Sequence, residues 1–85
     1  MRIYMQTPPG TEQHSPRFYH IILQKDLLGG WTMVREWGQQ GSGGRVVKDH
    51  FEQLDTAVEA LGKARDSQLK RGYRIVFSEG VSQTS

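Results

Sequence analysis

The side chains with the most chemistry to offer lie in one short run, Gly29-Gly30-Trp31-Thr32-Met33-Val34-Arg35-Glu36-Trp37-Gly38-Gln39-Gln40-Gly41, which holds both tryptophans of the chain. An indole left open to solvent stacks on a flat ring such as a nucleobase, and any base suffices because each has a π-face. With a period of two, Trp31, Met33, Arg35 and Trp37 share one side, and Thr32, Val34 and Glu36 the other. Arg35 thus stands beside Trp37, either as a phosphate contact or as a cation–π cover over the ring. Gly38 removes a side chain next to Trp37 and is expected to let a flat ligand approach the indole. The competing assignment is core for both tryptophans, more so for Trp31, since Trp is highly buried on average. Arg45 and Lys48 follow a glycine-rich tip, and Lys70, Arg71 and Arg74 surround a helix end. Together they form a stripe able to track phosphates. Alternatively, Lys70 and Arg71 do no more than complement the helix dipole.

Other chemistries find little support. The loop Gly41-Ser42-Gly43-Gly44-Arg45 has backbone N–H groups to offer a phosphate. It lacks the Gly-Lys-Ser/Thr of a Walker loop and enters a strand rather than a helix, which favours a hairpin tip. His14, His20 and His50 have no metal-ligand spacing, and there is no cysteine to join them. Acidic residues are scattered, and no nucleophile–base pair emerges from spacing. No catalysis, metal or cofactor is expected.

These residues must be held by a small framework. Met1 to Gln6 alternates weakly and is expected to be a short edge strand. Thr7 to Pro16 is a loop on its prolines and glycine. Arg17 to Lys25 is a strand with Tyr19, Ile21 and Leu23 on one face and Phe18, His20 and Ile22 on the other. Both faces are apolar enough to predict a central strand covered on both sides. Asp26 to Gly30 turns the chain back, making an antiparallel hairpin with the tryptophan strand. Arg45 to Phe51 is a third strand, with Arg45, Val47, Asp49 and Phe51 on one face.

Leu54 to Arg71 is a helix whose buried stripe is Leu54, Ala57, Val58, Leu61, Ala64 and Gln68. Asp55 and Glu59 near its start and Lys70 and Arg71 at its end suit the dipole. Gly72 is placed as the left-handed residue that ends it. Gly62 marks either a close approach of helix to sheet or a harmless exposed glycine. Tyr73 to Phe77 is a last strand, with Tyr73, Ile75 and Phe77 on one face. Ser78 to Ser85 is a polar tail. The fold class is α+β, an antiparallel sheet of four to five strands with one helix across it.

With 85 residues the chain makes one domain, 1–85, with its core in 17–77. A formal charge of +2 permits nucleic-acid binding without long-range steering, so affinity must come from a local patch. No apolar run approaches the ~20 residues of a membrane span, and no signal-peptide apolar stretch opens the chain. Together with the missing cysteines, this predicts a cytoplasmic protein with no membrane partner.

Trp37-Gly38-Gln39, in this order of elements, resembles the WGR domain, a family named for a Trp-Gly-Arg tripeptide at a strand end. The likeness runs from about Arg17 to Phe77. It takes in Phe18-Tyr19, Gly30-Trp31, Trp37-Gly38 with Gly41, Phe51 ahead of the helix, Ala57 in its first turn, and Gly72-Tyr73 after it. The resemblance implies an antiparallel sheet with one helix and nucleic-acid binding, in poly(ADP-ribose) polymerases at DNA ends. It also implies that the residue at Trp37 packs on a terminal nucleotide while basic neighbours hold the backbone. Two positions depart from the family: the motif arginine is Gln39, and a lysine common near the helix end is Gln68. A glutamine hydrogen-bonds a phosphate but releases no counterion, so a shallow salt dependence is expected. The expected contact set is Trp37, Gly38, Gln39 and Arg35 with Arg45, Lys48, Lys70 and Arg71. DNA is the expected partner, and Trp37→Ala is expected to weaken binding and leave the fold intact. The alternative is a protein-interaction module that docks a partner through the sheet edge near Arg2–Gln6 or through the aromatic face.

Overall fold

Alternating apolar residues need a second layer on one face only, and the chain supplies it with a single helix. In a computed structural model of the chain, which describes residues 1–8 and 16–80, the elements run β1 (Arg2–Gln6), β2 (Arg17–Lys25), β3 (Trp31–Gln39), β4 (Arg45–Phe51), α1 (Leu54–Lys70) and β5 (Arg74–Glu79). The strands form one antiparallel sheet in the order β4-β3-β2-β1-β5. The α+β class is as expected. Much of the loop expected over 7–16, including His14, and the end of the expected tail, 81–85, fall outside the described residues.

β4 and β5 are the two edges, and α1 joins them. A helix of 17 residues is about 25 Å long, and five strands about 4.8 Å apart span about 19 Å, so one helix is long enough to cross the sheet. Its buried residues are Ala57, Leu61 and Gln68, with Ala60 and Ala64 packed at the margin of the core. Leu54 and Val58, expected in the stripe, are exposed at the end next to edge strand β4. Gly72, at φ +100°, ends the helix in the left-handed region, as its position predicted.

Gly62 does not mark a close approach to the sheet. A Cβ there would meet only the Arg65 guanidinium, at 3.5 Å. Gly62→Ala is therefore expected to raise the unfolding free energy by about 0.8–1 kcal/mol, the propensity difference alone, measured by denaturant titration.

β1 is an interior strand, not an edge. It pairs with β2 on one side and β5 on the other, and Ile3 and Met5 are fully buried. The core therefore begins ahead of residue 17: it joins Ile3 and Met5 to Tyr19, Ile21, Leu23, Met33, Ala57, Leu61 and Tyr73. β1 sets Ile3 beside Ile21 and Met5 beside Tyr19 on the helix-facing side of the sheet, and both join the core there. The expected double coverage of β2 also fails. Among the described residues only the Tyr19 face meets the helix, while Phe18, His20 and Ile22 are half-buried on the other. There Tyr4 lies over Phe18, with centroids 6.2 Å apart, and edge-on to His20, at 5.4 Å. Burial and the Arg2 charge hold the His20 pKa below its usual value, against an opposing pull from Glu36.

The last strand runs further than expected, taking Ser78 and Glu79 from the expected tail. A bulge opposite Tyr4 and Met5 breaks its alternation, pairing Ile75 with Met5 and Phe77 with Tyr4. Ile75 and Phe77 therefore do not share a face.

The β2–β3 turn is held by Asp26. Its Oδ1 accepts from the N–H groups of Leu28 (2.9 Å) and Gly30 (3.0 Å), and its Oδ2 from Thr32 Oγ1 (3.0 Å) and His50 Nδ1 (2.7 Å). Burial alone would raise the Asp26 pKa, but these four bonds outweigh it and hold the carboxyl below its usual value. A depressed carboxyl stabilises the fold above its unfolded-state pKa, and the benefit disappears as pH falls through the lowered folded value. The stability gap between the wild type and Asp26→Asn is thus expected to be full at neutral pH and to close below about pH 4. Thermal unfolding of both across pH 2–7 reads it.

Candidate nucleic-acid interface

β3 carries its odd residues toward α1, so Trp37 lies at the helix C-terminal end of the sheet. The ring is half-buried, neither sealed in nor free. It packs against the core and stacks on Tyr19, its cross-strand neighbour, with centroids 5.4 Å apart and planes within 11°. Tyr19 in turn meets Tyr73 edge-on at 6.0 Å. Among the described residues these three rings line a cavity of about 420 Å³, together with Arg17, Arg35 and Arg71.

Each arginine arrives from a different element. Arg17 opens β2 on the same face as Tyr19, and its backbone N–H is fixed by Thr7 Oγ1 at 2.9 Å. Arg71 stands at the helix C-cap, where its N–H bonds the Gln68 carbonyl at 3.0 Å. Arg35 lies 6.0 Å from the Trp37 ring centre and donates to Asp49 across the β3–β4 pair at 3.1 Å. Its Nε is buried with no partner among the described residues. Arg35 is therefore partly neutralised, whereas Arg17 and Arg71 have no carboxylate within 4.0 Å among the described residues.

Gln68 lines the cavity too. It is buried, at 8% exposure, and its side-chain amide has no hydrogen-bond partner among the described residues. Three guanidinium groups, three rings and a spare amide in one cavity suit a ligand that is anionic and carries a flat ring. The volume is in the usual range for small-ligand sites, about 300–1,000 Å³.

The expected contact set is only partly brought together. Trp37, Arg35 and Arg71 line the cavity. Arg45, exposed, pairs with Trp37 in register and so lies on the same face at its margin. Lys70 is exposed in the last helical turn but does not line the cavity. Gln39 is exposed at the end of β3, opposite Arg17. Lys48 is opposite Val34 and points to the other face of the sheet, away from Trp37.

Gly38 faces that other side too. A Cβ on it would stand 3.1 Å from Gly44 Cα and 3.5 Å from the Phe18 ring, so its bareness makes room for the segment that leads into β4. Gly44 answers it, since a Cβ there would come within 2.8 Å of the Trp37 carbonyl. Arg17, Tyr19 and Tyr73 were absent from the expected set. Arg17 and Tyr19 share the parity of one strand, but only the β2–β3 register sets them beside Trp37.

Among the described residues no group of three or more His, Asp or Glu side chains is placed to hold a metal ion. Nor, among the described residues, is any helix long and apolar enough to cross a membrane.

A five-stranded antiparallel sheet with one crossing helix, and an arginine-lined aromatic cavity at the helix end, define a small α+β domain of one recognisable kind. The chain belongs to the WGR domain family, whose sequence pattern matches residues 2–79. It is also similar to an uncharacterized protein of Sinorhizobium fredii, 33% identical over 58 residues. That match takes in 68% of this chain and 28% of the relative, so the chain spans little more than a quarter of that protein. No solved structure matches the chain at a significant level.

Proposed function

We propose that this WGR domain is a non-enzymatic module that binds DNA through the Trp37 cavity. The observation that carries this reading is the convergence of Arg17, Arg35 and Arg71 on the stacked pair Tyr19 and Trp37. Phosphates are matched by the two guanidinium groups free of carboxylates, and a ring of the nucleotide by the aromatic walls. Few cations are engaged, so the salt slope is shallow: each phosphate contact contributes about 0.7 for single strands and about 0.9 for duplex. Gln39, at the motif's arginine position, lies outside the cavity, so its lost charge matters less than the tripeptide implies.

Titration of fluorescently labelled single-stranded and duplex oligonucleotides at two salt concentrations tests the reading. Saturable binding with a slope of about two contacts supports it. No binding by the wild-type protein at low salt ends it.

A second reading, a protein-docking module, is favoured by one specific observation, the apolar outer strand β5. The edge once expected to serve it, Arg2–Gln6, lies inside the sheet and is not available.

A further inference from the structure

The two edges of the sheet are built differently. β4 carries Arg45, Lys48, Asp49 and His50 among its seven residues, and charges spread along an edge discourage pairing with another chain. β5 has the sequence Arg74-Ile75-Val76-Phe77-Ser78-Glu79, with charge only at its two ends. All six residues are exposed, and Ile75, Val76 and Phe77 stand at 44%, 58% and 48%. Among the described residues no strand pairs with its outer side. Three consecutive large apolar residues on an unguarded edge are a surface that invites strand addition.

The order of residues specifies what fits there. When two copies of β5 run antiparallel about an axis between Val76 and Phe77, Arg74 of each faces Glu79 of the other. Ile75 faces Ser78, and Val76 faces Phe77. In a regular strand, residues five apart lie on opposite faces and such a register fails. The bulge in β5 removes the obstacle. Arg74 and Glu79 pair with Gln6 and Arg2 on one face of β1, while Ile75 and Ser78 pair with Met5 and Ile3 on the other. The Arg74–Glu79 and Ile75–Ser78 pairs each therefore come from a single face, as cross-strand contact requires, and the bulge residue Val76 meets Phe77 at the axis.

We propose that the chain forms a symmetric dimer by antiparallel β5–β5 pairing, which extends the sheet to ten strands. The two-fold axis is perpendicular to the sheet, so both helices and both Trp37 cavities lie on one side. The contact is isologous and closes on itself. The inference is independent of DNA binding, and its test contains no nucleic acid.

Sedimentation equilibrium from low to high micromolar concentration is expected to show the mass rising from one chain to two. Arg74→Glu and Glu79→Arg, each alone, weaken association roughly tenfold, because two attractive pairs per dimer become repulsive. The double variant Arg74→Glu/Glu79→Arg restores it. Val76→Lys abolishes it, with thermal unfolding confirming that the variant is folded. The proposal is overturned by a single-chain mass at every concentration, by masses that grow beyond two, or by a dimer that ignores the charge reversals. A double variant that fails to recover overturns it equally.

Discussion

Trp37→Ala is expected to lose stability and DNA affinity together while the domain remains folded. The ring stacks on Tyr19 and leans on the core, so its removal opens a gap beside a buried residue. Truncation of a fully buried tryptophan costs about 3–5 kcal/mol; a half-exposed ring should lie below that, at about 2–3 kcal/mol. For a small domain with a total of about 5 kcal/mol this is a large share. A stacked base contributes about 1–3 kcal/mol, which corresponds to a five- to 150-fold rise in Kd. Trp37→Phe keeps a ring against Tyr19 and a face for the base, so it should recover most of both losses. Denaturant unfolding gives the first quantity, and oligonucleotide titration at a temperature where all three proteins are folded gives the second. If Trp37→Ala binds as the wild type does, the cavity is not the site.

Much of the framework was legible because period and punctuation are local. The two-residue alternation of β2 and β3, the apolar stripe of α1 and the left-handed Gly72 all follow from neighbours within a turn or two. Sheet order is not local. Nothing in the weak alternation of Arg2–Gln6 says that it lies between β2 and β5, because that position is set by pairing with strands distant in sequence. The same holds for the site. Arg35 beside Trp37 was visible in one strand, but Arg17 and Tyr73 join it only through the β2–β3 register and the path after the helix. Gly38 is a different case: the alternation already placed it opposite Trp37, yet sequence adjacency to the indole suggested a ligand role. Gln68 was visible as a missing cation, whereas its burial at the cavity depended on how the helix crosses the sheet.

Arg17→Gln/Arg71→Gln is expected to have the largest effect on binding with the least effect on the fold. Both side chains are exposed and neither is ion-paired among the described residues, so little native structure depends on their charge. Arg35 is the wrong choice for this test, because removing it strands the Asp49 carboxylate as well. A hydrogen bond to a charged group contributes about 1.5–3 kcal/mol, so each substitution should raise Kd at least about tenfold at low salt, and the pair at least about a hundredfold. The salt slope should also fall by about 0.7–0.9 for each arginine lost, because each no longer displaces a counterion. Lys48→Gln removes the same formal charge from the other face of the sheet. It should leave affinity nearly unchanged, apart from the small effect of net charge. That contrast separates a localised site from general attraction to a basic protein. Equal losses from Lys48→Gln and Arg71→Gln would mean that DNA is drawn to the surface at large, and the Trp37 cavity would have no special claim to it.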